Sequence, residues 1–190
     1  MNPVRPLSKA LLLSTIVLLQ PFVATASQPT GNDASQTNAE QRQAILIFMD
    51  AVFAAVTSSK PDDWRALQLA DGTALSFRPG ADEDTTELEM RMTSNEAFIA
   101  NIAPDGHEYI ERWTSEPVVL IHGPVAAVCG KYGFWIDGEF SHCGIDLIDL
   151  VRVDDEWKIA NFTWTVEREQ CAVTDLANAI PLSADANRKN

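Results

Sequence analysis

Two side chains in this sequence, His142 and Asp146, have types and a spacing that could do chemistry. They lie in an otherwise apolar run, and in an extended strand they would point to the same face, about 13 Å apart. An aspartate on an apolar face has a raised pKa, and a histidine can titrate near neutral pH. The pair could therefore act as general acid and base in a proton transfer.

The same two residues also have a purely structural interpretation. A buried Asp146 that accepts hydrogen bonds from Thr163 and from backbone groups, with His142 at a strand end, would only hold a sheet in shape. Other reaction types find less support, because the three histidines and three cysteines show no metal-ligand spacing and no glycine-rich phosphate loop is present. We therefore predict neither a metal nor a cofactor.

The elements that position these side chains are three β-strands over residues 125–165. Asp137-Gly138 is a two-residue hairpin signal, and Asp154-Asp155 separates the second pair of strands. Pairing from these turns predicts one face that carries Cys129, Gly133, Trp135, His142, Gly144, Asp146, Ile148, Leu150, Trp157, Ile159, Asn161 and Thr163. The opposite face is predicted to carry Val128, Tyr132, Phe134, Cys143, Ile145, Leu147, Val151, Phe162 and Trp164. Both faces are apolar, so the sheet needs a cover on each side.

Helical signals come earlier in the chain. Apolar residues at helical spacing predict a helix over about 40–57, and a second, shorter helix begins near Pro61. A capping box at Thr93 and Glu96 predicts a third helix that continues to Ile102. Short strands are predicted at 74–77, 88–92, 108–116 and 118–121. Helices that are segregated from a run of antiparallel strands indicate the α+β class.

The first 26 residues are typical of a secretory signal peptide. Arg5 and Lys9 precede a short apolar segment, and Ala24-Thr25-Ala26 forms a cleavage site. This predicts a periplasmic or secreted protein without a stable membrane anchor. Residues 27–39 are predicted to be a disordered linker, residues 40–171 a single domain, and residues 172–190 a polar tail. The net charge of −13 argues against nucleic acid as a partner.

The central strands resemble a known superfamily. The pattern Tyr132-x-Phe134, Asp137-Gly138, His142-Cys143-Gly144-x-Asp146, Leu150-Val151-Arg152 and Trp157-Lys158-Ile159 resembles the SnoaL-like or lumazine-binding-like branch of the nuclear transport factor 2-like superfamily. The resemblance implies a cone-shaped, curved antiparallel sheet of the cystatin-like type, wrapped around N-terminal helices. It also implies a pocket inside the cone and homodimers that associate through the outer face of the sheet.

The resemblance also bears on the cysteines. The matching motif includes Cys143 and a terminal cysteine near position 171, whereas Cys129 falls outside it. We accordingly predict a disulfide between Cys143 and Cys171 that holds the tail to the sheet. Cys129 is predicted to be free and buried.

Three functional hypotheses remain open because this fold hosts enzymes as well as binding modules. The first is a pocket protein for a small apolar or aromatic ligand, oriented by His142, Asp146, Asn161 and Thr163, with walls formed by Trp135, Phe140, Ile148 and Trp157. The second is a cofactor-free isomerase or dehydratase that uses Asp146 and His142 as catalytic groups. The third is an association module whose outer face carries Tyr132, Phe134, Leu147, Phe162 and Trp164.

Overall fold

The computed structural model describes residues 31–80, 87–102 and 105–182, with side chains described from residue 37. The predicted signal peptide and residues 27–30 of the predicted linker lie outside the described residues. Residues 183–190 of the predicted tail lie outside them as well.

Three helices cover one side of the sheet. Helix α1 spans Gly31–Ser58, α2 spans Pro61–Leu67 and α3 spans Asn95–Ile99. Helix α1 begins before the predicted residue 40, so helical backbone includes much of the predicted linker. Helix α3 is shorter than predicted, and its N-cap is Ser94, whose hydroxyl oxygen accepts a hydrogen bond from the Ala97 amide.

Seven strands form one sheet: β1 Gln68–Pro79, β2 Leu88–Ser94, β3 Tyr109–Trp113, β4 Val118–His122, β5 Val125–Ile136, β6 Glu139–Val153 and β7 Glu156–Thr165. The order is β2-β1-β7-β6-β5-β3, and β4 pairs with a further part of β5. Every pair is antiparallel except β1 with β7, so the sheet is mixed rather than wholly antiparallel. The sheet is open and curled around the helices, which confirms the α+β class.

Both predicted hairpin tips are correct. Ile136 pairs with Glu139 and Val153 pairs with Glu156, so each turn has two residues. Three of the four turn residues are aspartates at positive φ: 53° at Asp137, 50° at Asp154 and 65° at Asp155. A two-residue hairpin requires this left-handed backbone because it must match the twist of the strands.

Two β-bulges change the register beyond the tips. In the first hairpin Phe134 pairs with His142 whereas Trp135 pairs with Phe140, which leaves Ser141 as the additional residue. In the second, the partner of Leu150 is Ile159 and that of Asp149 is Asn161, which leaves Ala160 as the additional residue. A bulge moves every later pairing by one position.

The predicted pairings beyond the bulges, and with them the faces, are therefore partly wrong. Asp146 lies opposite Gly130 and Trp164 rather than Cys129 and Thr163. The inner face, which packs on the helices or borders an internal cavity, carries Val128, Gly130, Tyr132, Phe134, His142, Gly144, Asp146, Ile148, Leu150, Trp157, Ile159, Phe162 and Trp164. Five residues were predicted for an outer association face. Four of them, Tyr132, Phe134, Phe162 and Trp164, thus point inward, and only Leu147 lies on the outer face.

The hydrophobic core joins α1 to the inner face of the sheet. Ile45, Met49, Val52 and Phe53 form the buried stripe of α1. The ring of Phe53 contacts that of Trp113 edge to face, with centroids 5.0 Å apart. Burial of these side chains stabilises the domain and fixes the helix over one part of the sheet.

A disulfide connects Cys143 to Cys171, with Cα atoms 5.8 Å apart, as the resemblance implies. Cys129 is free but exposed, so its predicted burial is wrong; it lies on the outer face of β5. Beyond the disulfide, the tail continues along the sheet as far as the structure describes it. Trp135 donates a hydrogen bond from Nε1 to the Thr174 carbonyl at 3.0 Å, and Leu182 packs against the core.

Candidate functional site

A cavity of about 550 Å³ lies between the helices and the inner face of the sheet. This volume is within the usual range for small-molecule sites. Most of its apolar wall is aromatic and comes from Trp64, Phe98, Tyr109, Phe134, Phe162 and Trp164.

The aromatic rings form a connected wall. The ring centroids of Trp64 and Phe98 are 5.4 Å apart, those of Phe98 and Trp164 are 5.9 Å apart, and those of Phe162 and Trp164 are 5.0 Å apart. Such contacts hold each ring in place, since aromatic pairs at these distances attract one another. The wall therefore offers rigid, flat surfaces to a ligand.

Two buried carboxyl groups, those of Glu111 and Asp146, line the same cavity. Glu111 on β3 lies opposite Phe134, and Asp146 on β6 lies opposite Gly130, so strand β5 separates them. Only 6% of Glu111 and 1% of Asp146 are exposed. Burial raises the pKa of Glu111 to about 7. Burial and the neighbouring Glu111 charge raise the pKa of Asp146 well above its usual range.

Neither carboxyl oxygen of Asp146 accepts a hydrogen bond from an N–H or hydroxyl group of the residues that the structure describes. Its carboxyl interacts directly with that of Glu111, and the two groups can share one proton. Buried polar atoms are nearly always satisfied in folded proteins, so a carboxyl on a cavity wall whose neighbour is another carboxyl leaves hydrogen-bonding capacity for a ligand. The raised pKa favours the protonated form of this carboxyl, which can donate a hydrogen bond.

Tyr132 crosses the inner face between the two carboxyl groups, but its hydroxyl is already engaged. This hydroxyl donates a hydrogen bond to the Thr165 carbonyl at 2.7 Å. A Cβ atom at Gly144 would lie 2.8 Å from the tyrosine ring, so glycine is required beneath it. The ring is a wall of the cavity, and its hydroxyl is committed to β7.

His142 lines the cavity and is half-buried. Its ring stacks on that of Phe134 with centroids 4.8 Å apart, and its Nδ1 atom lies 3.0 Å from the Ser141 hydroxyl. Burial, together with the positive charges of Arg168 and Arg78, lowers the pKa of His142 to about 4. The imidazole is therefore neutral at pH 7, in contrast to the near-neutral titration expected from the sequence.

The other predicted ligand-binding residues do not line this cavity. Trp135 and Phe140 contact each other at the bulge, and Trp135 also contacts the tail. Ile148 and Trp157 belong to the hydrophobic core, whereas Asn161 and Thr163 lie on the outer face because of the bulge at Ala160. The side-chain amide of Asn161 donates a hydrogen bond to exposed Asp149 instead.

Glu111 was not among the predicted site residues, although the sequence carries a signal for it. In the segment Tyr109-Ile110-Glu111-Arg112-Trp113, the glutamate alternates with two aromatic residues. Period-2 alternation places Tyr109, Glu111 and Trp113 on one face, and the aromatic neighbours indicate that this face is buried.

Within the described ranges, no group of three or more histidine, cysteine, aspartate or glutamate side chains could hold a metal ion. None of the described helices has the length and apolar character needed to cross a membrane.

Comparison with known proteins identifies the fold. No protein-family model matches the chain, and no curated protein matches it in sequence. Solved structures do match. The beta subunit of a proposed aromatic-ring-hydroxylating dioxygenase from Novosphingobium aromaticivorans aligns with a TM-score of 0.56 and 12% identity, over 72% of this chain and 95% of that chain.

Two further structures from the same organism agree. A proposed scytalone dehydratase aligns with a TM-score of 0.52 and 15% identity, over 77% of this chain and 99% of that one. A nuclear transport factor 2-like protein with a cystatin-like fold aligns with a TM-score of 0.53 and 14% identity, over 77% of this chain and 94% of that one. Identities this low establish the architecture alone. The chain has the nuclear transport factor 2-like cone fold, as the sequence resemblance implied.

Proposed function

We propose that this protein binds a small, largely aromatic molecule in its cone. The observation that carries the proposal is the enclosure of the carboxyl pair, Glu111 and Asp146, by aromatic walls in one cavity. Flat rings gain burial against such walls, and a few polar groups fix their orientation. The protonated carboxyl of Asp146 would donate a hydrogen bond to an acceptor atom of the ligand.

Intrinsic tryptophan fluorescence tests this proposal. Trp164 lines the cavity, whereas Trp157 is buried outside it. A panel of naphthalene and indole derivatives should quench the wild-type emission upon binding. Trp164→Phe should lose about half or more of the quenching, and the matched control Trp157→Phe should retain it. Equal quenching in both variants, or none of the panel binding, would contradict the proposal.

Native mass spectrometry of protein purified from its own cells gives an independent test. A ligand held in a cavity of this kind should remain bound through gentle purification and appear as an added mass. Trp164→Ala, which opens the aromatic wall, should reduce the bound fraction relative to the wild type.

The direct interaction between the Glu111 and Asp146 carboxyl groups favours a second candidate, an isomerase- or dehydratase-type enzyme. Glu111, with a pKa of about 7, can both accept and donate a proton at neutral pH, and the protonated Asp146 can polarise a carbonyl. In this candidate the two carboxyl groups carry the chemistry and neutral His142 orients the substrate. Glu111→Gln, which removes the proton-accepting group, should keep ligand binding but abolish solvent-deuterium incorporation into the ligand, whereas a pure binder shows no incorporation in the wild type either.

We also propose that the protein is exported through the signal peptide predicted at residues 1–26. The disulfide between Cys143 and Cys171 supports this location, because such bonds persist in oxidising compartments. Mass measurement of the protein from its native source should give a mature chain that begins at Ser27.

A homodimer through the outer face of the sheet is proposed as well. Register aligns one largely apolar row across six strands, here called the outer row: Met92, Leu75, Thr163, Leu147, Cys129 and Val118. Met92 is 67% exposed and Val118 is 59% exposed. An exposed apolar strip of this length is typical of an association surface.

Light scattering tests the dimer. Leu147→Lys places a charge in the middle of the outer row and should weaken self-association at least about tenfold. Ile47→Lys is the matched control, since Ile47 is an exposed apolar residue on α1, away from the sheet's outer face. A wild-type protein that remains monomeric at micromolar concentration would rule out this interface.

A further inference from the structure

Two arginines, Arg78 and Arg168, line the cavity together. Arg78 lies near the end of β1, and Arg168 follows β7. These ends are adjacent because β1 and β7 run parallel and the Val166 amide donates a hydrogen bond to the Phe77 carbonyl at 2.8 Å. Both guanidinium groups also act electrostatically on the ring of His142. The two positive charges therefore converge on one part of the cavity wall.

Neither guanidinium forms an ion pair with any residue in the described part of the chain. Other arginines do so, since Arg42 pairs with Glu116 and Arg91 pairs with Glu89. The Nε atom of Arg78 is buried and has no hydrogen-bond partner among the described residues. With 27 acidic and 14 basic side chains, the sequence offers carboxylates in excess. Two arginines that line the same cavity and have no carboxylate partner form a site for an external anion.

The nearby acidic group does not neutralise this site. Asp105 also lines the cavity, but its carboxylate accepts hydrogen bonds from the Tyr109 hydroxyl and the His107 amide. Because this carboxylate is engaged by residues of its own loop, the two arginines remain available to bind a ligand. Elsewhere on the cavity wall, the buried carboxyl pair disfavours a negative charge, because an anion there would be desolvated beside acidic groups.

We propose that the ligand is an aromatic carboxylate, an inference that rests on the proposed function. Its carboxylate binds Arg78 and Arg168, its rings lie against Phe162 and Trp164, and a separate neutral acceptor group faces Asp146. Bidentate arginine–carboxylate contacts supply both affinity and orientation. The protein as a whole carries excess negative charge, which by itself would disfavour an anionic ligand. Salt screens these distant charges, so the preference for an anion over a neutral ligand depends on the nearby arginine pair.

Binding of two matched probes, 2-naphthoate and 2-naphthamide, tests this inference by tryptophan quenching or calorimetry at pH 7. The probes share ring size and differ in charge. The wild type should bind 2-naphthoate at least about tenfold more tightly than 2-naphthamide. Arg78→Gln and Arg168→Gln should each weaken 2-naphthoate binding about tenfold and change 2-naphthamide binding less than about threefold. Arg91→Gln, on the edge strand β2, should change neither.

The outcomes separate this inference from the proposed function. Equal affinity for both probes, or equal losses for both in the arginine variants, would leave an aromatic pocket and overturn the anionic ligand. Failure of both probes to bind would overturn both proposals. Arg168 is exposed, so Arg168→Gln keeps the test valid if Arg78→Gln does not fold.

Discussion

Glu111→Gln is expected to become steadily more stable relative to the wild type as the pH rises from about 4.5 to 8. The total gain should be about 3 kcal/mol in the free energy of unfolding. Its cause is the burial of Glu111, which raises the pKa of this carboxyl from its ordinary 4.5 to about 7 in the folded protein. Glutamine occupies the same volume but never ionises.

The sign follows from proton binding. Below pH 4.5 the carboxyl of Glu111 is protonated in both the folded and the unfolded chain, so it makes no pH-dependent contribution. Between 4.5 and about 7 the unfolded chain releases the proton first, which favours unfolding as the pH rises. Above about 7 the penalty from Glu111 is constant. Asp146, whose pKa is also raised, contributes a pH dependence of the same sign.

The wild-type curve alone does not isolate this effect, because His142 contributes the opposite slope. Its pKa is lowered to about 4 by burial and by the charges of Arg168 and Arg78. Unfolding therefore takes up a proton at His142 between pH 4 and 6.5, and the folded state gains stability there as the pH rises. Subtracting the wild-type free energy of unfolding from that of Glu111→Gln cancels the contribution of His142, because both proteins contain this histidine.

Urea unfolding at half-unit pH steps measures that difference. Glu139→Gln, which removes an exposed carboxyl at a hairpin tip, is the matched control and should give a curve parallel to the wild type. Parallel curves for Glu111→Gln and the wild type would show that Glu111 ionises normally, and the proton-transfer candidate would lose its base.

Cys143→Ser combined with Cys171→Ser is expected to lower the free energy of unfolding by about 3–4 kcal/mol. The disulfide closes a loop with a sequence separation of 28 residues, and the chain-entropy estimate for such a loop gives this magnitude. The bond also secures a short bridge in which Cys143 and Glu167 exchange two backbone hydrogen bonds of 2.9 and 2.8 Å. Its loss should let the tail leave the sheet before the domain unfolds.

Denaturant titration with hydrogen exchange checks both parts of this prediction. The Ile180 amide, which donates to the Trp113 carbonyl at 2.9 Å, should exchange much faster in the double variant. Cys129→Ser is the control, since this cysteine is free and exposed, and it should leave stability within about 0.5 kcal/mol. A thiol count of three in the native protein would contradict the disulfide itself.

Local sequence was sufficient for the class of fold and for the hairpins. Asp137-Gly138 and Asp154-Asp155 mark turns because few residues adopt the left-handed backbone that two-residue hairpins need. The apolar spacing of α1 identified its buried stripe, because helical periodicity is a property of neighbouring residues. The joint motif over 125–165 indicated the cone fold, which the solved structures support.

Tertiary structure decided which side chains meet in the cavity. Ser141 and Ala160 become bulges through the packing of the curved sheet, and each bulge transfers the following side chains to the opposite face. Phe162 and Trp164 therefore line the cavity in place of Asn161 and Thr163. The carboxyl pair is likewise a tertiary feature, because Glu111 and Asp146 are 35 positions apart in sequence and only the strand order brings them together. Sequence periodicity determined the strands and turns of this protein, and the register and curvature of the sheet determined its site.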